Sequence, residues 1–198
     1  MTSFHGKKPR QPFTASGNRW GSTDVMYHFD NTGADLTQAE AQAAIRGAFD
    51  RWAAVSPLTF TEATGASDIQ IGWYSGDHGD GSPFDSAGNI LAHCFYPPPG
   101  GGSFAGDLHF DEDETWTINT PPTGTDLATV ALHEIGHGIG LDHSAVTTSV
   151  MYAFYGGERR ELTPDDIAGV HAIYGGWVNW FLIHPENRMQ PGATVTAR

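Results

Sequence analysis

His133-Glu134-Ile135-Gly136-His137-Gly138-Ile139-Gly140-Leu141-Asp142-His143 decides how this chain reads. The pattern is H-E-x-x-H-x-x-G-x-x-H, and nearly every fixed position has a chemical task. On a helix, residues four apart share a face, so the His133 and His137 imidazoles can reach one metal ion. Glu134 lies beside them, where its carboxylate can polarise a metal-bound water. Gly140 accepts backbone angles that other residues resist, so the chain can turn sharply and bring His143 round as a third ligand. Three protein ligands with one position left open is the arrangement of a catalytic zinc rather than a structural one. An amphipathic helix with surface histidines explains a bare H-E-x-x-H. It does not explain the glycine and third histidine at this spacing.

The chain has 198 residues, enough for one domain with a sizeable core. A formal net charge of -13 argues against nucleic acid or an anionic membrane as partner. The charge is uneven, because Asp107, Asp111, Glu112, Asp113 and Glu114 crowd together. Such crowding repels itself unless cations neutralise it. Cys94 is the sole cysteine, so no intramolecular disulfide can form. No apolar run is long enough to span a bilayer. Residues 1–19 are polar, hold no hydrophobic leader segment, and read as a flexible lead-in.

Along the chain, residues 25–29 read as a first strand. Residues 37–55 are the clearest helix, with Thr37 and Glu40 in a capping box and Ile45, Ala48, Phe49 and Trp52 forming an apolar stripe. Pro57 stops it. Residues 58–61, 69–74, 90–96 and 108–110 read as strands, separated by Gly-, Asp- and Pro-rich loops at 75–89 and 97–102. A second helix spans about residues 126–139, and a third starts at Thr163-Pro164 and ends near Gly175-Gly176. Early strands and late helices indicate an α+β fold. Residues 177–198 change character and form either a C-terminal extension or the start of a further, truncated domain.

His78-Gly79-Asp80 is an H-x-D pair in a loop, and His93 and His109 follow on predicted strands. Together they could close a tetrahedral zinc shell with no open position, which describes a structural site.

The stretches 78–93 and 106–116 resemble the catalytic domain of the matrix metalloproteinases, the matrixins of the metzincin clan. Ser144 follows the third histidine as it does in matrixins. Ser149-Val150-Met151-Tyr152 is similar to the family's Met-turn, and residues 162–174 to its C-terminal helix. The likeness covers residues 20–176. It implies a twisted mixed five-stranded sheet with three helices and an active-site cleft along the edge strand. It also implies a zinc metalloendopeptidase, acting on protein or peptide substrates as a secreted monomer. His133, His137 and His143 would bind catalytic zinc, with Glu134 as the catalytic carboxylate. His78, Asp80, His93 and His109 would bind structural zinc. One calcium would take Asp85, Asp111 and Glu114 with carbonyls of Ser86, Gly88 and Ile90; a second would take Asp68 and Asp107 with carbonyls from 103–105. Met151 would form a floor beneath the zinc. Substrate would lie along Asn89, Ile90, Leu91 and Ala92, with Ala153, Phe154 and Tyr155 walling the pocket for the side chain after the scissile bond. By likeness, that pocket takes an apolar residue such as leucine.

Two departures bear on this. Ala153 stands where the family usually has proline, which leaves the pocket wall open to a different shape. No propeptide cysteine motif is present. Cys94, next to His93 on a strand, should face away from the metal as a small buried hydrophobe. His5, His28, His171 and His184 match no ligand position. A metal-bound binding module without turnover is opposed by Glu134 and the open ligand set. A zinc hydrolase acting on non-peptide bonds is opposed by the strand-edge cleft and the Met-turn.

Overall fold

A computed structural model describes residues 12–118 and 124–176; the extension from 177 onward lies outside the described residues. The elements are β1 (Thr14–Ala15), β2 (Asp24–Phe29), α1 (Gln38–Val55), β3 (Thr59–Glu62), β4 (Ile69–Tyr74), β5 (Ala92–Cys94), β6 (Leu108–Asp111), β7 (Trp116–Thr117), β8 (Thr125–Asp126), α2 (Leu127–Gly138), β9 (Leu141–Asp142) and α3 (Pro164–Tyr174). The main sheet has five strands in the order β3-β2-β4-β6-β5. Its first four strands are parallel, and β5 runs antiparallel to β6 at the edge. This is the mixed five-stranded sheet and three-helix set that the family resemblance implies.

Helix α1 begins where Thr37 and Glu40 exchange hydrogen bonds as a capping box. Its expected stripe, Ile45, Ala48, Phe49 and Trp52, is fully buried. Phe49 stacks on Tyr27 of β2 with ring centroids 4.3 Å apart. Trp52 Nε1 donates to Leu132 O of α2 at 2.9 Å, so α1 is tied to the helix that carries the metal ligands. Burying each such side chain contributes about 1.5–3 kcal/mol.

Two stretches differ from the sequence expectation. Residues 12–19 are not a loose lead-in: Thr14 and Ala15 pair with Asp142 and Leu141 of β9. Ser16 donates from both N–H and Oγ to Gly140 O at 2.9 Å. The edge of the turn after α2 had free backbone groups, and this segment satisfies them. The strand expected over 90–96 forms a ladder at Ala92–Cys94, with Asp111 N–H donating to Leu91 O and Phe95 N–H to Asp107 O, each at 3.0 Å, at its two ends. Before it the chain is a loop, in which the Asp85 carboxylate accepts from Asn89 Nδ2 at 3.0 Å and from Ile90 N–H at 3.4 Å. Ser86, Gly88 and Asn89 have left-handed backbone there.

Candidate active site

Asp126 caps α2, accepting from Thr129 N–H at 2.9 Å. His133 and His137 follow on one face of that helix. His133 Nδ1 donates to Val150 O at 2.7 Å, and His137 Nδ1 donates to Leu141 O at 2.8 Å. A carbonyl can only accept, so each ring carries its proton on Nδ1 and presents a bare lone pair on Nε2. His137 Nε2 lies 3.1 Å from His133 Nε2 and 3.3 Å from His143 Nε2. Lone pairs brought this close repel unless a cation sits among them. Burial pushes the His133 pKa down to about 4 and that of His137 to about 3, so both rings are neutral near pH 7. Glu134, 7% exposed, is raised to about 8 by burial.

Gly140 makes the turn to His143 with φ +101°, and a Cβ there would sit 2.3 Å from Asn18 O. Both conformation and crowding therefore require glycine. Met151, 2% exposed, packs beneath α2; a Cβ on Gly136 would lie 2.2 Å from its Sδ. Asp166, 1% exposed, holds this Met-turn from α3. It accepts from Val150 and Met151 N–H at 3.1 Å and from Ser149 Oγ. It also closes the α3 capping box with Thr163. Asp165 accepts from Ser144 Oγ at 2.6 Å, orienting the residue after the third histidine.

The second cluster is built by sheet register. His93 on β5 stands directly opposite His109 on β6. The 75–91 loop lays His78 and Asp80 over them. Asp80 Oδ2 is 2.8 Å from His78 Nε2, His93 Nε2 and His109 Nδ1, and His109 Nδ1 is 3.2 Å from each of the other two nitrogens. Burial alone would raise the Asp80 carboxyl. Hydrogen bonds from Ser82 N–H, His93 and His109 instead hold it well below the carboxylate range. Rings of Tyr74, Phe84 and Phe95 pack around the cluster. Cys94 faces the other way, with Sγ donating to Gly106 O at 3.3 Å and lying against Gly138 of α2. Among the described residues, these two clusters are the groups of three or more side chains whose ligand atoms gather within 4.8 Å.

The sequence model of the family described as Matrixin matches residues 19–175. The chain belongs to the matrixin family. It is similar to karilysin of Tannerella forsythia, 47% identical over 165 residues that make up 82% of this chain and 34% of that protein. Equine interstitial collagenase is 47% identical over 165 residues, with the same shares. Rat matrilysin is 44% identical over 161 residues, 79% of this chain and 59% of that protein. The chain thus spans about a third of the length of the first two. Membership of the matrixins implies zinc, and both donor sets fit it: neutral imidazoles, joined in one case by a carboxylate.

In this matrixin a cleft of about 320 Å³ opens beside His133, Glu134 and His143. Its lining includes Ile90, Leu91, Ala92, Ala153, Phe154 and Tyr155, so the segments expected on its two sides do face each other. Ile90, Phe154 and Tyr155 are exposed at 43%, 70% and 40%. The sequence reading missed how the wall is fixed. Tyr155 OH accepts from Asp126 N–H at 3.0 Å. Arg159 N–H donates to Thr129 Oγ1 at 2.8 Å, and the Arg160 guanidinium pairs with Asp126. The only signal was Asp126 one position before a helix and an arginine pair 34 residues later, and nothing in the sequence links them.

The calcium carboxylates are not gathered as the histidines are. Glu114 accepts from Gly88 N–H, and Asp85 is engaged by Asn89 and Ile90. Asp111 Oδ2, by contrast, is buried with no partner among the described residues. Asp68 Oδ2 accepts from Met26 N–H and Asp107 Oδ1 from Gln70 N–H, each at 2.8 Å. Burial raises the Asp107 pKa to about 6. In the 103–105 segment, which overlaps a 3₁₀ turn at Gly102–Phe104, Phe104 O already accepts from Asp107 N–H at 2.9 Å. Of the histidines outside the ligand sets, His28 bonds Ser67 and Asp30, and His171 donates to Val55 O.

Proposed function

We propose that this chain is a zinc-dependent metalloendopeptidase that hydrolyses peptide bonds in extended segments of protein substrates. The observation that carries the reading is the convergence of three Nε2 lone pairs beside Glu134, at a cleft bounded by the sheet edge. His133, His137 and His143 would hold the ion. When bound, zinc supplies an acidified water and a Lewis acid for the scissile carbonyl. A cation held by the three histidines would offset the burial that raises Glu134 and keep it ionised, and its carboxylate then takes the water proton and returns it to the departing nitrogen. The carbonyls of Val150 and Leu141 keep the imidazoles in one tautomer and one orientation. Met151 and Asp166 support that geometry from below.

The substrate backbone would run along Asn89 to Ala92 as an added strand, since β5 is an edge whose outer side faces the cleft. Backbone pairing tolerates many sequences, so discrimination falls to the pocket walled by Ala153, Phe154 and Tyr155. His78, Asp80, His93 and His109 would hold structural zinc. Asp111, with its orphaned oxygen, would hold calcium with Asp85, Glu114 and the carbonyls of Ser86, Gly88 and Ile90. Asp68 and Asp107 would serve a second calcium. Calcium sites of this kind suit an exterior rich in that ion, so we read the protein as secreted, acting in the extracellular matrix as a monomer. Residues 20–176 would be the catalytic domain.

Cleavage of an unstructured peptide library tests the reading. Turnover abolished by Glu134→Ala and by a zinc chelator is expected. A folded, zinc-loaded protein that cleaves nothing overturns it in favour of a binding module.

A further inference from the structure

Arg159 and Arg160 are consecutive, yet the fold treats them oppositely. The Arg160 guanidinium is paired: Nη2 reaches Asp126 Oδ1 at 2.5 Å and Ile118 O at 2.7 Å, and Nε reaches Asp126 Oδ2 at 3.0 Å. Arg159 lines the cleft, and among the described residues its side chain makes no ion pair. Its backbone is fixed by the bond to Thr129 Oγ1, and Thr129 Oγ1 in turn donates to Asp126 Oδ2 at 2.5 Å. The guanidinium lies 5.6 Å from the Tyr152 ring centroid, and Nη1 donates to Phe154 O at 3.4 Å. That single long bond leaves most of its five donors without an acceptor in the protein. A cation is thus held in the wall of the cleft, in a chain whose net charge is -13.

We propose that Arg159 is a specificity-determining residue, receiving the oxygen at the end of a glutamate or glutamine side chain that follows the scissile bond. The proposal rests on the reading of the cleft as a peptidase site. A leucine in the pocket would cover the guanidinium with hydrocarbon and give its donors nothing to bond. Glutamate or glutamine lays an apolar stem in the cleft that Val130, Ala153 and Arg159 line, and brings an acceptor to those donors, with glutamate adding charge. Arg159 is half-buried, and a side chain bound over it that brings no acceptor takes water from its donors without replacing it, so ligands lacking the acceptor are disfavoured.

The test is a set of peptides differing only at the position after the scissile bond: Glu, Gln, Met and Ala. Methionine matches glutamine in length but has no strong acceptor. The wild-type zinc enzyme should cleave the Glu and Gln peptides with higher kcat/KM than the Met peptide. In Arg159→Ala the Glu:Met and Gln:Met ratios should each fall about tenfold, the effect of losing one charge-assisted hydrogen bond. Turnover of the Ala peptide reports any general loosening of the wall, which would lower all four rates together and leave the ratios unchanged. If Arg159→Ala does not fold, Arg159→Gln carries the same comparison. Arg159→Glu should invert the preference, favouring a Lys peptide over Met. Ratios that stay within about threefold of wild type while Met and Ala peptides are still cleaved overturn this inference alone. Cleavage of a Leu peptide with none of the Glu and Gln peptides overturns this inference alone; no cleavage of any of them, the Leu peptide included, overturns the peptidase reading and this inference with it.

Discussion

The two histidine clusters use the same donor and come to opposite ends. At His78, His93 and His109 the fourth position is taken by Asp80, and aromatic rings close over the set. At His133, His137 and His143 there is no fourth side chain, and the set opens onto a cleft of about 320 Å³. The first is assembled by strand register and a loop, the second by helix periodicity and a glycine turn. A closed shell can only hold the fold together. An open one leaves a coordination position for chemistry, and Glu134 stands beside it. Activity and stability should therefore separate cleanly between the clusters.

The largest separation is expected from Glu134→Ala. Activity should fall by about 10²–10⁴, the range for losing a general base. Metal content by elemental analysis and the melting temperature should stay near wild type. Asp80→Ala should do the reverse. It leaves three buried ring nitrogens facing one another, so a loss of about 3–5 kcal/mol, read by chemical denaturation, and of one metal equivalent is expected. Its per-molecule activity, measured well below the melting point, should persist. An Asp80 variant as stable as wild type would show that the closed cluster is dispensable.

Arg160→Ala sharpens the comparison by striking the open site's wall without touching either cluster. Asp126 is 0% exposed, and leaving it unpaired should cost about 3 kcal/mol. The pH dependence follows from the sign of its shift. Burial would raise the Asp126 carboxyl, but Arg160 and Thr129 hold it below its ordinary 3.8. The stabilisation is thus fully present above about pH 4 and is lost as pH falls through the lowered folded value. Denaturation curves between pH 5 and 2 should show wild type losing more stability than Asp126→Asn; parallel curves would remove the pair from the account.

The smallest effect is expected from Gly136→Ala. The added methyl group meets Met151 Sδ at 2.2 Å, an overpacking cost of about 1–3 kcal/mol. Retained zinc with reduced kcat would show that Met151 supports the open site mechanically. The closed site should be indifferent.

Much of this was legible because local chemistry is dictated over short distances. The 3.6-residue period of α2 places His133 beside His137, the apolar stripe of α1 marks its buried face, and Gly140 announces its own turn. The alternation of β5 foretold that Cys94 would turn from the metal side. What the chain alone left undetermined involves partners far apart along it. Residues 12–19 looked loose because the Gly140 carbonyl they bind lies over a hundred residues away. The strand expected from Ile90 starts at Ala92, because the residues before it fold into a loop around the Asp85 carboxylate. The cleft wall depends on Asp126 meeting Arg160, and only the packed structure shows which of two adjacent arginines is neutralised and which lines the cleft. Periodicity and spacing are properties of a segment. Pairing is a property of the fold, because burial makes an unmatched charge or N–H costly and so selects one partner among many.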